Sequence, residues 1–453
     1  MGPAGKQRVL LVAAILVGTG MAAACRGPRA AGERRLATGA ARAEPAAPAI
    51  DDALALAPPA GNGPADRRVR QLQQQVRRAP ESADGWVALG HGWLQRVRET
   101  FDEAGVRHAE VCAARALTLS HGSAPARALR AAVLLDRHRF GEAHAEAEAA
   151  LRSVPDERVA LGVLADALVE LGRYDEAVAT TDRLMRLKPG LSAYTRASYL
   201  LWLRGHGAAA IEAARRAVDA AGGEREPRAF ALVQAALLFW HRGDHEGAAA
   251  GFEAARAAFP DYPPALVGLG RVALARGDAA GGAALLERAF RAQPLAETAW
   301  LLGDARAAAG DARAAEHAYG EVIRLGRAGE RRVLARFLAT KGRDAEQAVR
   351  LAEEERRVRP DVYSDDTLAW ALFRAGRLEE AQLASARALR LGTPDASLLY
   401  HAGAIRLAAG DRAEGRALVA RALGVNPAFD WTGAAEARRL LGGGGVARET
   451  GAR

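Results

Sequence analysis

The chain has 453 residues, and half of them are hydrophobic, but only 5% are aromatic. Alanine and leucine dominate the apolar residues, which favours helices and disfavours an enzyme core built on a β-sheet. Two cysteines exclude a framework of several disulfides. The net charge is +9, yet acidic residues are interleaved with the basic ones, which argues against a nucleic-acid-binding stripe. We therefore expect an all-α protein with no nucleic-acid partner.

The first 25 residues have the pattern of a secretory signal peptide. Lys6 and Arg8 precede an apolar run over 9–17, and small residues lead to Cys25. The end of this segment resembles the lipobox of bacterial lipoproteins, which implies that Cys25 is lipidated and anchors the chain in a membrane. Cleavage by an ordinary signal peptidase is an alternative. Several arginines follow the apolar run, and positive charges there oppose translocation.

Residues 26–65 are rich in alanine, proline, glycine and arginine and have few large apolar side chains. Such a segment cannot bury enough apolar surface to offset the entropy that is lost on ordering. We therefore predict a disordered tether over 26–65. At the other end, 442–453 opens with four glycines and is predicted to be a disordered tail.

Between these segments, a helical pattern repeats with a mean period of 34 residues. Each unit has a small residue, here called the anchor, where two helices would touch. A glycine such as Gly376 precedes the anchor at the turn between the two helices, where it takes the left-handed conformation. The anchors are Ala109, Ala143, Ala177, Ala210, Ala248, Gly282, Ala315, Ala348, Ala381 and Gly415.

This period and this motif resemble the tetratricopeptide repeat family, whose unit is a helix A, a turn and a helix B. The resemblance implies an all-α, right-handed superhelical solenoid of about ten helix pairs over 66–428. A helix over 429–441 is expected to cap it, with Trp431 packed on the last unit. Two spacings exceed the period, and we expect the extra residues to form inter-helix loops at Arg98–Ala104 and Gly222–Pro227.

No motif of the chain indicates catalysis. His241 and His245 are four residues apart, but Gly243 marks a turn between them, so they would not face a metal from one helix. Gly268-Leu269-Gly270 falls within a predicted helix with no strand before it, which excludes a phosphate-binding loop. We therefore predict no enzyme activity, no cofactor and no metal site.

In the family, defined positions of helix A line the concave groove, and four of the seven tryptophans occupy such positions. Large aromatic residues beside arginines are typical of a binding hot spot. Alternatively, these rings pack on neighbouring A helices and tighten the superhelix. The grouping of two arginines between two tryptophans would suit a partner segment with apolar and acidic residues. The candidate partner-binding residues are Trp202, Trp240, Trp300, Arg332, Arg336, Tyr363, Trp370, Phe373 and Tyr400.

These features predict a non-enzymatic scaffold that binds protein partners at a bacterial cell envelope. The chain would be exported and lipid-anchored, with its repeats in the periplasm and its only membrane contact at the N-terminal segment. One alternative is an envelope assembly factor associated with peptidoglycan or polysaccharide, whose tryptophans stack on sugars. Another is an adaptor that faces the cytoplasm. The sequence identifies no partner, because repeats of this kind serve very many.

Overall fold

The structure is a computed structural model that describes residues 51–442, and over these residues it contains 23 α-helices and no β-strand. The predicted signal peptide, Cys25, residues 26–50 of the predicted tether and the tail beyond residue 442 lie outside the described residues. The helices are α1 (Asp52–Ala55), α2 (Pro64–Arg78), α3 (Ala83–Thr100), α4 (Ala104–Leu119), α5 (Ala124–Asp136), α6 (Phe140–Ser153), α7 (Arg158–Glu170), α8 (Tyr174–Leu187), α9 (Leu191–Leu203), α10 (Gly207–Ala220), α11 (Arg225–His241), α12 (His245–Ala258), α13 (Pro263–Ala275), α14 (Ala279–Ala292), α15 (Ala296–Ala308), α16 (Ala312–Ala328), α17 (Arg331–Lys341), α18 (Ala345–Val358), α19 (Val362–Arg374), α20 (Leu378–Ala388), α21 (Ala396–Ala408), α22 (Arg412–Val425) and α23 (Trp431–Gly442).

Helices α3 to α22 form ten consecutive pairs, which confirms the predicted all-α repeat solenoid. The odd-numbered helices are the A helices and the even-numbered ones are the B helices. Every predicted anchor lies on a B helix and is buried, for example Ala109 on α4 and Ala381 on α20. A small side chain is needed at these places because it lets the two helices of a pair approach closely.

The turns inside the pairs follow from local chemistry. Gly376 has φ +79°, a left-handed conformation that ends helix α19 without the steric cost of a Cβ atom. Where aspartate follows the turn, its carboxylate caps the next helix, as Asp244 does by accepting a hydrogen bond of 2.8 Å from the amide of Gly247. These two signals explain why helix A ends and helix B begins within a few residues.

Both predicted loop insertions are wrong in detail. The extra residues around Arg98 extend α3 to 18 residues, because they are good helix formers, and the chain turns only at Phe101, which has φ 58°. At the second position the extra residues are divided between a turn over 221–224 and an additional helical turn at the start of α11.

The prediction of disorder is wrong for residues 51–65. Ala55 is fully buried, and its carbonyl accepts hydrogen bonds from Nε2 of Gln73 and Nε1 of Trp93, both 3.1 Å long. These two buried donors need an acceptor, and the short helix α1 supplies it. The ordered part of the chain therefore includes the segment that precedes α2.

Helix α23 follows the last pair and corresponds to the predicted capping helix, but the expected role of Trp431 is wrong. Trp431 is 44% exposed, whereas the neighbouring Phe429 packs on Tyr400 of α21, with ring centroids 5.5 Å apart. The aromatic contact with the last repeat is therefore made two residues earlier.

The superhelix returns upon itself. The amide of Val362 donates to the hydroxyl of Tyr174 (2.9 Å), Oγ1 of Thr393 to the carbonyl of Leu203 (2.7 Å) and Nδ2 of Asn426 to the carbonyl of Trp240 (2.8 Å). These pairs are separated by 188, 190 and 186 residues. The turns of the third to fifth repeats thus contact the loops before α19, α21 and α23. We call this set of contacts the inter-turn seam.

Candidate partner-binding cavity

A cavity of about 280 Å³ lies between the A helices of the fifth to tenth repeats and helix α23. Each of these A helices, from α11 to α21, contributes side chains from the face that points inward, and residues 426–438 close one side. Seven of the nine candidate residues line this cavity. They are Trp240, Trp300, Arg332, Arg336, Tyr363, Trp370 and Tyr400.

The other two candidates do not reach the cavity. Trp202 is buried in the core between the third and fifth repeats, with its ring 5.0 Å from that of His241. Phe373 is half-buried and packs on Trp370, at 5.4 Å between centroids. The structure therefore gives both side chains a packing position.

The tryptophans in the cavity wall are themselves nearly enclosed. Trp370 is 2% exposed, stacks on His401 at 4.2 Å between ring centroids and donates from Nε1 to Thr340 on the preceding A helix (3.1 Å). Trp240 stacks on His245 at 5.0 Å. The Trp370 ring therefore packs between successive A helices, whereas Trp240 packs on helix B of its own repeat.

The arginines of the wall already have partners within the chain. Arg332 is buried and lies 3.1 Å from Asp361, at the N-terminus of α19. Arg336 lies 5.1 Å from the centroid of the Trp300 ring and 3.7 Å from Glu297, which also pairs with Arg271 at 2.5 Å. These contacts weaken the expectation that the two arginines attract an acidic segment, because nearby carboxylates offset their charge.

A second set of charged groups in the cavity was not foreseen as a group. Asp366 lies 2.9 Å from Nδ1 of His401, and Asp395 lies 3.4 Å from Nδ1 of His241. Glu436 of α23 accepts a hydrogen bond of 2.5 Å from the hydroxyl of Tyr400. Asp395 caps α21, His241 ends α11 and Glu436 lies on α23, so these groups come from places that the candidate positions on helix A do not cover. Their convergence depends on how the superhelix closes, which the repeat pattern does not encode.

Burial affects the charge of two groups in this wall. It raises the pKa of Asp304 to about 6, against the opposing effect of Lys341, and the negative charge of Asp430 raises it further. Burial lowers the pKa of His241 below its ordinary value of 6.5, although Asp395 opposes this shift. Burial therefore favours the neutral form of the His241 imidazole.

The structure gives His241 and His245 separate positions, at the end of α11 and the start of α12, as the turn at Gly243 predicted. Within residues 51–442 there is no group of histidine, cysteine and acidic side chains that could hold a metal ion. In the same range, no helix is both long and apolar enough to cross a membrane.

The ten helix pairs define the class of an all-α helical repeat solenoid, and a family model agrees with it. A family model described as "Tetratricopeptide repeat" matches residues 114–198 and 239–302, which supports the resemblance drawn from the anchors. Repeats of this class generally form scaffolds that bind protein partners. No curated protein matches the chain in sequence.

Several solved structures match the chain at low identity. The human IFIT1 dimer with m7Gppp-AAAA is 13% identical with a TM-score of 0.46, and the match covers 82% of this chain and 94% of that one. A tetratricopeptide repeat protein from Parabacteroides merdae is 16% identical with a TM-score of 0.39, over 52% and 93% of the two chains. PilW, a type IV pilus biogenesis factor, is 20% identical with a TM-score of 0.38, over 44% and 91%.

Proposed function

We propose that this protein is a non-enzymatic scaffold that binds a short segment of a protein partner in the cavity enclosed by the fifth to tenth repeats. The observation that carries the proposal is the cavity itself. The A helices of six successive repeats leave a space here whose lining includes the exposed Trp431 and Arg438. Its walls combine aromatic and charged groups, as binding sites do.

The most direct test fills the cavity without disturbing the packed tryptophans. Ser397 lines the cavity at the start of α21 and is half-buried, so Ser397→Phe should place a ring in the space that a partner would use. We expect the variant to keep its helix content and lose the partner that co-purifies with the full-length chain. Ser153→Phe, on an exposed residue at the end of α6, is the matched control. Undiminished co-purification with Ser397→Phe would show that partners bind elsewhere.

The proposal extends to the cell envelope through the N-terminal segment. The basic, apolar and small residues before Cys25 support export and lipidation, which would hold the repeats at a membrane surface in the periplasm. Cys25→Ser should then leave an unprocessed precursor of higher mass and release the mature body from the membrane fraction. A Cys25→Ser protein that matures and fractionates like the native chain would refute lipidation.

A further inference from the structure

We infer that the group which enters the cavity is cationic, an arginine or lysine side chain of the protein partner. This inference rests on the proposed function and adds the chemistry of the bound group. It starts from the charge of the lining: six carboxylates and four arginines line the cavity, although the whole chain has a net charge of +9. The cavity is thus locally acidic in a basic protein.

The excess negative charge lies on one side. On the arginine side, α13 to α17, every lining carboxylate already has a cation, because Arg271 and Arg336 share Glu297 and Lys341 pairs with Asp304, while Arg332 lies on Asp361. On the other side, Asp366 and Asp395 are paired with histidines. Asp430 accepts a hydrogen bond of 2.5 Å from the backbone amide of Gly433 and Glu436 accepts one from a tyrosine hydroxyl, so neither bond brings a positive charge.

Asp430 and Glu436, whose hydrogen-bond partners are uncharged, favour the approach of a cation. Several like charges in a poorly solvated space repel one another, and a bound guanidinium or ammonium group would relieve this repulsion. Arg439 lies 3.8 Å from Glu436 but is largely exposed, so it contributes little inside the cavity. Arg438, the fourth arginine of the lining, is also exposed and donates to the carbonyl of Pro427.

The aromatic groups beside these carboxylates suit the same ligand. Trp431 is 44% exposed at the opening, and Phe429 and Tyr400 lie behind it. Trp431 already has a cation near its ring, since Nζ of Lys341 lies 5.8 Å from the centroid. Exposed aromatic faces next to carboxylates bind guanidinium and ammonium groups by combined cation–π and ionic attraction.

A separate observation points to a peptide as the carrier of this cation. Trp300 is 95% buried in the cavity wall, and its Nε1–H has no acceptor among the described residues. A buried donor of this kind is unfavourable unless an acceptor is supplied. A backbone carbonyl of a partner segment would supply it once Arg336, which covers the Trp300 ring, shifts, while the basic side chain of that segment occupies the acidic side.

The test uses the full chain and capped tripeptides whose central residue is arginine, citrulline or glutamate between alanines. Citrulline has the shape of arginine without its charge. Binding is followed by tryptophan fluorescence and by calorimetry. We expect the arginine peptide to bind about tenfold more tightly than the citrulline peptide, and the glutamate peptide to bind most weakly.

A double variant isolates the charge. Asp430→Asn with Glu436→Gln keeps an acceptor for the amide of Gly433 and the hydroxyl of Tyr400 but removes two negative charges. It should reduce the preference for arginine over citrulline to about twofold or less. The control, Asp219→Asn with Glu246→Gln, removes two exposed carboxylates outside the cavity and should leave the preference unchanged.

The outcomes separate this inference from the proposed function. Equal binding of the arginine and citrulline peptides, tighter binding of the glutamate peptide, or no binding of any peptide would each overturn the cationic assignment. If Ser397→Phe still abolishes partner binding in those cases, the cavity remains the binding site with a different ligand chemistry. Partner binding that survives Ser397→Phe would remove the proposed function as well.

Discussion

Trp370→Ala is expected to lower the free energy of unfolding by about 3–5 kcal/mol, the usual cost of truncating a buried aromatic residue. Trp370 lies on α19 with only 2% of its surface exposed, and its ring stacks on His401 of the next A helix. Its Nε1 also donates to Thr340 of the previous A helix. The substitution therefore removes contacts that join three successive repeats, and it leaves an empty space between them.

Amide hydrogen exchange on the full chain is the suitable measurement, because each repeat contacts mainly its neighbours and the array need not unfold in one step. Protection should fall first in α17, α19 and α21. Trp431→Ala is the control. Because Trp431 is exposed, its truncation should lower the free energy of unfolding by less than about 1 kcal/mol. If Trp370→Ala instead abolishes partner binding and leaves exchange unchanged, Trp370 is a binding hot spot rather than a packing residue.

The repeat architecture could be predicted from the sequence because its determinants are local. An anchor such as Ala381, a turn glycine such as Gly376 and an aspartate cap such as Asp244 each act within one helix pair. The anchor recurs in every unit, and the glycine and the aspartate in many of them, so the ten anchors located ten B helices before any tertiary contact was known. The long α3 shows the limit of this reasoning, because a changed spacing does not reveal whether extra residues continue a helix or leave it.

The candidate cavity could be predicted only in part, because its walls belong to elements that are distant in the chain. The family positions identified Trp300, Arg336 and Trp370 correctly as residues of the inner face. They did not reveal that Arg336 is offset by Glu297, or that Glu436 of the terminal helix faces the same space. These relations depend on the number of repeats in one superhelical turn, and side-chain packing over the whole array determines that number.

The same argument applies to the inter-turn seam, whose contacts join residues about 190 positions apart. At Gly172 the two sides of the seam are in close contact, because a Cβ atom there would lie 2.6 Å from the carbonyl oxygen of Pro360. At Gly310, which occupies the same kind of turn, a Cβ atom would meet nothing within 4 Å. Both glycines have a left-handed backbone, with φ 68° and 86°.

These two glycines allow the contribution of the seam to be measured. Gly310→Ala should lower the free energy of unfolding by about 1 kcal/mol, because alanine is sterically disfavoured in the left-handed region. Gly172→Ala should lower it by roughly 1–3 kcal/mol more than Gly310→Ala does, because the backbone of the loop before α19 must move away. The difference should appear as faster hydrogen exchange at the amide of Val362, which donates to Tyr174 across the seam. Equal effects of the two substitutions, with Val362 exchanging at the native rate in both, would mean that the superhelix is open in solution and that the cavity is not enclosed as described.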